Sequence, residues 1–116
     1  RIIPHIVIDK VPSATDRVPV PVMIGAKTFQ RDLIGTADPR IFQDLLAGQQ
    51  QAVLDQVLAD QRYVAETWSP LRSSFSRSYS LDGGDFSLTY DRLLLPIRML
   101  DGRKMLFTHT SQNLRH

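Results

Sequence analysis

The chain has 116 residues, 42% of them apolar and 22% charged, enough for the core of one domain and too few for two. Fourteen Lys and Arg against twelve Asp and Glu leave a net charge of +2, too small to name nucleic acid or a membrane surface as partner, and no apolar run approaches the ~18 residues of a membrane span. Without cysteine, disulfides, thiolate nucleophiles and sulfur-ligated metal or iron–sulfur centres are excluded, in keeping with a reducing, cytoplasmic setting.

Ile6-Val7-Ile8 is β-branched and predicts a strand from about His5. Pro12 and Ser13-Ala14-Thr15-Asp16 mark a loop. In Val18-Pro19-Val20-Pro21-Val22-Met23-Ile24 two prolines remove donors on one side, so the segment is an edge strand or becomes a strand only after Pro21, with Val22 to Ala26 as the paired part. Asp38 followed by Pro39 predicts a helix start, and Ile41, Phe42, Leu45 and Leu46 form an apolar stripe that Gly48 ends or bends. A second helix is expected over Gln49 to Gln61, with Val53, Leu54, Val57 and Leu58 inward and Gln50, Asp55, Gln56 and Asp60 outward. Beyond Arg62 the period changes, and Tyr63 to Trp68 reads as extended. Ser73 to Leu81 alternates weakly, Asp82-Gly83-Gly84 predicts a hairpin turn, and Phe86, Leu88 and Tyr90 mark a half-buried strand. Leu93-Leu94-Leu95-Pro96-Ile97 abandons alternation, which requires two covered faces or a bulge at Pro96. After a second turn at Asp101-Gly102, Met105, Phe107 and His109 share one face of a last strand, with Leu106, Thr108 and Thr110 on the other. Residues 111–116 read as a polar tail or linker.

The order β-β-α-α-β-β-β predicts an α+β fold spanning residues 1–116: one antiparallel sheet of about five strands with short helices packed on one face. Charge is mixed along it. Residues 1–60 carry six basic and seven acidic side chains, net −1, and residues 61–116 carry eight and five, net +3, a solvated surface rather than a basic block.

Three segments carry a family resemblance: Pro4-His5-Ile6-Val7-Ile8-Asp9, Arg31-Asp32-Leu33-Ile34-Gly35, and Tyr90-Asp91-Arg92-Leu93-Leu94-Leu95-Pro96-Ile97 before an Asp-Gly turn. With the element order, they resemble PAS-type sensor domains, and a bacterial PAS-like subgroup most closely. In that subgroup a helix precedes the opening strand, and this sequence is expected to lack it. The Val18–Pro21 insert and the serine-rich stretch over 69–81 depart from the pattern. The resemblance implies a sensory or regulatory module in bacterial signal transduction that binds a small molecule or partner and relays a conformational change. A homodimer or an attached output domain is implied as partner. No particular cofactor follows, and the missing cysteine weighs against a flavin–thiol photosensor.

Candidate ligand-binding residues are Phe42, Tyr90, Arg92, Phe107 and His109. A histidine among apolar neighbours could ligate haem iron or bond a ligand, although such a residue is more often a satisfied core or rim histidine. Arg92 could grip a carboxylate with two parallel bonds, or pair structurally with Asp91, Asp32 or a helix carbonyl. Trp68 suits core packing better than a pocket wall. His5 and His116 have no partner pattern. The arginines and aromatics over Leu71–Tyr79 have the composition of a base-stacking surface, but two arginines are a thin basis, and a strand with a serine-rich solvent face explains them. No catalytic residue or metal ligand is predicted: nucleophile-elbow, zinc-helix and phosphate-loop spacings are missing. A ligand-free dimerisation or docking module and a small α+β enzyme are the alternatives.

Overall fold

The computed structural model describes residues 5–28, 30–31, 35–81 and 83–112. Five strands, β1 (Val7–Lys10), β2 (Pro21–Ile24), β3 (Leu71–Leu81), β4 (Gly84–Arg98) and β5 (Lys104–Gln112), and two helices, α1 (Pro39–Ala47) and α2 (Gln51–Thr67), make an α+β fold. All strand pairs are antiparallel and the sheet order is β2-β1-β5-β4-β3. The β1–β2 hairpin and the β3–β4–β5 meander are thus joined through β1 and β5, with Val7 opposite Thr108 and Lys10 opposite Met105.

Alternation sorts the sheet into two faces. The register puts Val7, Asp9, Leu94, Leu106 and Thr108 on one side, continued outward by Arg92, Thr110, Tyr90, Phe75 and Leu71. Helix α2 covers this side, its fully buried Val64 packing on Leu94 and Leu106. On the other side Ile8 and Met105 form a second cluster with Ile6, joined by Met23, Met99 and Phe107.

Helix α1 begins as its sequence requires. The Asp38 carboxylate accepts from the Arg40 backbone N–H at 3.0 Å, Pro39 opens the first turn, and Gly48 closes the helix by donating to the Leu45 carbonyl. The helix lies against β2. Its stripe is only partly covered: Phe42, Leu45 and Leu46 are half-buried and Ile41 is 46% exposed. With so little burial, the cap matters. Asp38→Ala is expected to cost about 1 kcal/mol, read as a lower urea midpoint with an unchanged slope.

The extended segment expected over Tyr63–Trp68 is instead the end of α2, which runs six residues past the expected Gln61 and starts at Gln51 rather than Gln49. Leu54, Leu58, Gln61 and Val64 recur every three or four residues and are all buried, and this tertiary stripe overrides the local β-preference of Tyr-Val-Ala-Glu-Thr. Trp68 ends the helix in the left-handed region, at φ 55°, donating its N–H to the Val64 carbonyl at 2.8 Å. Its ring lies under the charged groups of Arg98 and Lys104, at 5.8 and 5.4 Å, contacts that offset the strain of a non-glycine residue there.

No bulge occurs at Pro96, which sits opposite Leu106 in unbroken register. Pairing with β3 stops at Leu94, so Pro96 lies where β4 has a neighbour on one edge only, and there a missing donor is tolerated. The register shift falls instead between Ile8 and Asp9. Strand β2 is an edge strand, as its prolines predict, although it pairs over Pro21–Ile24 rather than Val22–Ala26. Between the prolines, the Val20 carbonyl accepts from Lys10, a bond that needs no donor from either. Gly83 and Gly102 take the positive φ their hairpin turns demand, 75° and 90°. Strand β5 runs through Ser111 and Gln112, two residues into the expected tail, because β4 extends far enough to pair them with Asp91 and Tyr90. The remaining tail residues, His116 included, lie outside the described residues.

Candidate functional site

The helix-covered face is not uniformly apolar. Asp9, Gln61, Arg92, Thr108 and Thr110 are all buried there, although burying such groups is unfavourable unless each finds a partner. Strand β1 places Asp9 beside Val7 in alternation, one residue past the register shift. Helix α2 brings Gln61 down between Leu58 and Val64, and the Gln61 Nε2 donates to Asp9 Oδ2 at 3.0 Å. One residue earlier, Asp60 forms an ion pair with Arg92 of β4; the two side chains are 14% and 7% exposed. The Arg92 guanidinium also stacks over the Phe75 ring, 4.6 Å from its centre, and that ring is tilted against Tyr90 at 5.4 Å. Opposite Arg92 on β5 stands Thr110, whose hydroxyl accepts from Gln30 Nε2 at 2.8 Å.

These contacts run as one row from β1 across α2 to β4 and β5, and the row is incompletely satisfied. Gln61 Oε1, Arg92 Nε and Gln30 Oε1 are buried without a hydrogen-bond partner, and each such atom calls for an explanation. The charge balance is also unusual. Burial pushes the Asp9 carboxyl up to about 7 from its ordinary 3.8, against the opposing influence of the Arg92 charge and the Gln61 hydrogen bond. Near neutrality the group therefore holds a proton part of the time. The protonated carboxyl is a donor, which the carbonyl oxygen of the Gln61 amide needs.

The sequence candidates do not converge. Tyr90 and Arg92 belong to this row. Phe107 and His109 lie on the opposite face of the sheet, away from α2, with Phe107 packed on the Ile6–Ile8–Met105 cluster and His109 exposed. A pocket between sheet and helices that includes them is therefore corrected: alternation separates them from Arg92 by a face. Phe42 is half-buried on α1, outside the row. Arg92 pairs with Asp60, rather than with Asp91 or a helix carbonyl; Asp32 lies outside the described residues. Asp60 was expected on the solvent face of its helix. It turns inward because Arg92, buried in the sheet, needs a counter-charge.

Asp9 and Gln61 join the row without being among the sequence candidates. The signal for Asp9 was present, since strand alternation puts it on the same face as the core residue Val7. Gln61 gave none, because a polar residue at the end of an apolar stripe reads as the stripe's end. His5 is exposed. Over Leu71–Ser78, Arg72 and the serines at 74, 76 and 78 face solvent while Phe75 and Arg77 face the other way, ring against guanidinium at 4.2 Å.

Elsewhere an open cleft of ≈ 550 Å³ lies between the β1–β2 loop and α2, walled by Asp16, Arg17, Asp55 and Arg62 among others. Arg62 is engaged there by the Ser13 and Asp16 carbonyls, at 2.8 and 3.1 Å. Among the described residues no group of His, Cys, Asp or Glu is arranged to hold a metal ion, and no helix is long and apolar enough to cross a membrane. Chemically, the buried row can exchange a proton and offer one cationic donor and two amide acceptors. Comparison of the chain with protein-family models, curated proteins and solved structures finds no match.

Proposed function

We propose that the domain is a sensory or regulatory module of bacterial signal transduction, PAS-like in its arrangement, that binds a small polar molecule between the sheet and α2. The observation that carries this reading is the set of unpaired buried atoms, Gln61 Oε1, Arg92 Nε and Gln30 Oε1, strung along the helix–sheet junction. A ligand with its own donors and acceptors would satisfy them, and by competing for Arg92 or Gln61 it would alter the two polar ties that seat α2 on β4 and β1. Signalling then consists of a shift between two helix–sheet packings, set by the ligand's differential affinity for them.

The test is a metabolite thermal-shift screen with native mass spectrometry and visible spectra of the purified protein. A true ligand at a hundredfold its Kd stabilises the fold by about 2.7 kcal/mol, and Gln61→Leu should erase its effect while other compounds stay inert. A screen with no bound or stabilising compound sinks the reading. A ligand-free docking module is the second reading, favoured by Val22, 43% exposed on the edge strand β2. It takes over if the screen is negative and light scattering shows association that Val22→Asp abolishes.

A further inference from the structure

We propose that the outer edge of β3 is a self-complementary surface that pairs antiparallel with β3 of a second copy of this chain, extending the sheet across a two-fold axis at Ser76. The inference is independent of ligand binding and starts from the contrast between the two sheet edges. Strand β2 is four residues long, contains Pro21 and meets β1 through a register shift, all features that discourage further pairing. Strand β3 is eleven residues long, has no proline and matches β4 over eleven consecutive pairs without a shift. Its other edge has no strand neighbour among the described residues.

Which backbone groups face that edge follows from the hairpin. Leu81 and Gly84 flank a two-residue loop, and residues in that position exchange both hydrogen bonds with each other. The alternation of an antiparallel ladder then turns the odd-numbered residues of β3 toward β4. The N–H and C=O groups of Arg72, Ser74, Ser76, Ser78 and residue 80 point to the open edge.

Two copies of this edge fit one register. With Ser76 opposite its own copy, Ser74 meets Ser78 and Arg72 meets residue 80, all even-numbered, as the hydrogen-bonded pairs must be. The ladder then supplies on the order of ten backbone bonds and uses every residue of β3, whereas a centre at Ser74 or Ser78 leaves one end overhanging. Charge is complementary as well. Only Arg72 and Arg77 are charged on this strand, and neither meets a like charge. Arg77 comes opposite Phe75, repeating between copies the ring–guanidinium contact made within the chain at 4.2 Å. The contact is isologous and closes at two chains.

Sedimentation equilibrium of the full chain, with two variants, tests the surface. The wild type is expected to dimerise reversibly. Ser76→Pro removes a donor that faces away from β4, a place where an edge strand accepts proline, so the monomer should keep its circular dichroism and melting temperature while the dimer Kd rises at least tenfold. In a chain without native cysteine, Ser76→Cys should form a disulfide-linked dimer on mild oxidation, since facing residues of such a pair lie ~5.5 Å apart at Cα; His109→Cys should not. A wild type that stays monomeric, a dimer whose Kd Ser76→Pro leaves unchanged, or growth into oligomers beyond two overturns the proposal. Should Ser76→Pro misfold, the Ser76→Cys cross-link decides: equal cross-linking of the two cysteine variants counts against the interface.

Discussion

Asp9→Asn is expected to stabilise the fold above pH 7 by up to about 4 kcal/mol, the equivalent of a carboxyl held some three units above its ordinary value. The sign follows from proton counting. Below the unfolded value of 3.8 both states are protonated and Asp9 adds no pH dependence to stability. Between 3.8 and about 7 the folded chain keeps a proton that the unfolded chain has released, so stability falls as pH rises. Above 7 both are ionised, and the full cost of burying the carboxylate is present. Asparagine is isosteric with the protonated form and can accept from Gln61 Nε2 while offering its own N–H groups to Gln61 Oε1. Urea unfolding at pH 5 and pH 8 checks this. The wild type should lose about 2–3 kcal/mol between them, and the variant should be flat by comparison. Equal stabilities of wild type and variant at pH 8 would show that Arg92 compensates the carboxylate fully.

The second large effect concerns the ion pair that ties α2 to β4. Arg92→Met leaves the Asp60 carboxylate 14% exposed without its counter-charge, and losses of about 3–5 kcal/mol are usual when one partner of a buried pair is removed. The double variant Arg92→Met/Asp60→Leu should recover most of that loss, since apolar replacement of both partners avoids an uncompensated charge. Arg92 also holds the Asp9 carboxyl down, so in the single variant the pH-dependent fall in stability should move to higher pH. Denaturant unfolding of the four-member cycle across pH 5–9 measures both effects. A double variant as unstable as the single one would mean that Arg92 contributes through its stacking on Phe75 rather than through Asp60.

Much of this architecture was legible because it rests on local chemistry. Asp38-Pro39, Gly83 and Asp101-Gly102 mark a helix start and two turns through backbone requirements that no distant contact alters. Tyr63–Trp68 reads as a strand because its residues favour strands locally, whereas the helix there depends on Val64 reaching Leu94 and Leu106, residues brought near only by the sheet. The two faces of β5 were separable from alternation, but alternation does not say which face the helices cover. Met105, Phe107 and His109 made the more apolar-looking side, whereas α2 settled on Leu106, Thr108 and Thr110. That choice divides the candidate residues: Arg92 was recognisable as a buried cation in need of a partner, and the partner, Asp60, was hidden by its expected place on a solvent-facing stripe.

The pairing of β1 with β5 has a kinetic corollary. Val7 faces Thr108, so the central seam of the sheet joins positions about a hundred residues apart, a closure that costs far more chain entropy than the tight turns at Gly83 and Gly102. The C-terminal ribbons are therefore expected to form first and the N-terminal hairpin to dock late in refolding. Until it does, the edge of β5 at Met105 and Leu106 lacks its β1 partner, and the refolding chain is at its most adhesive.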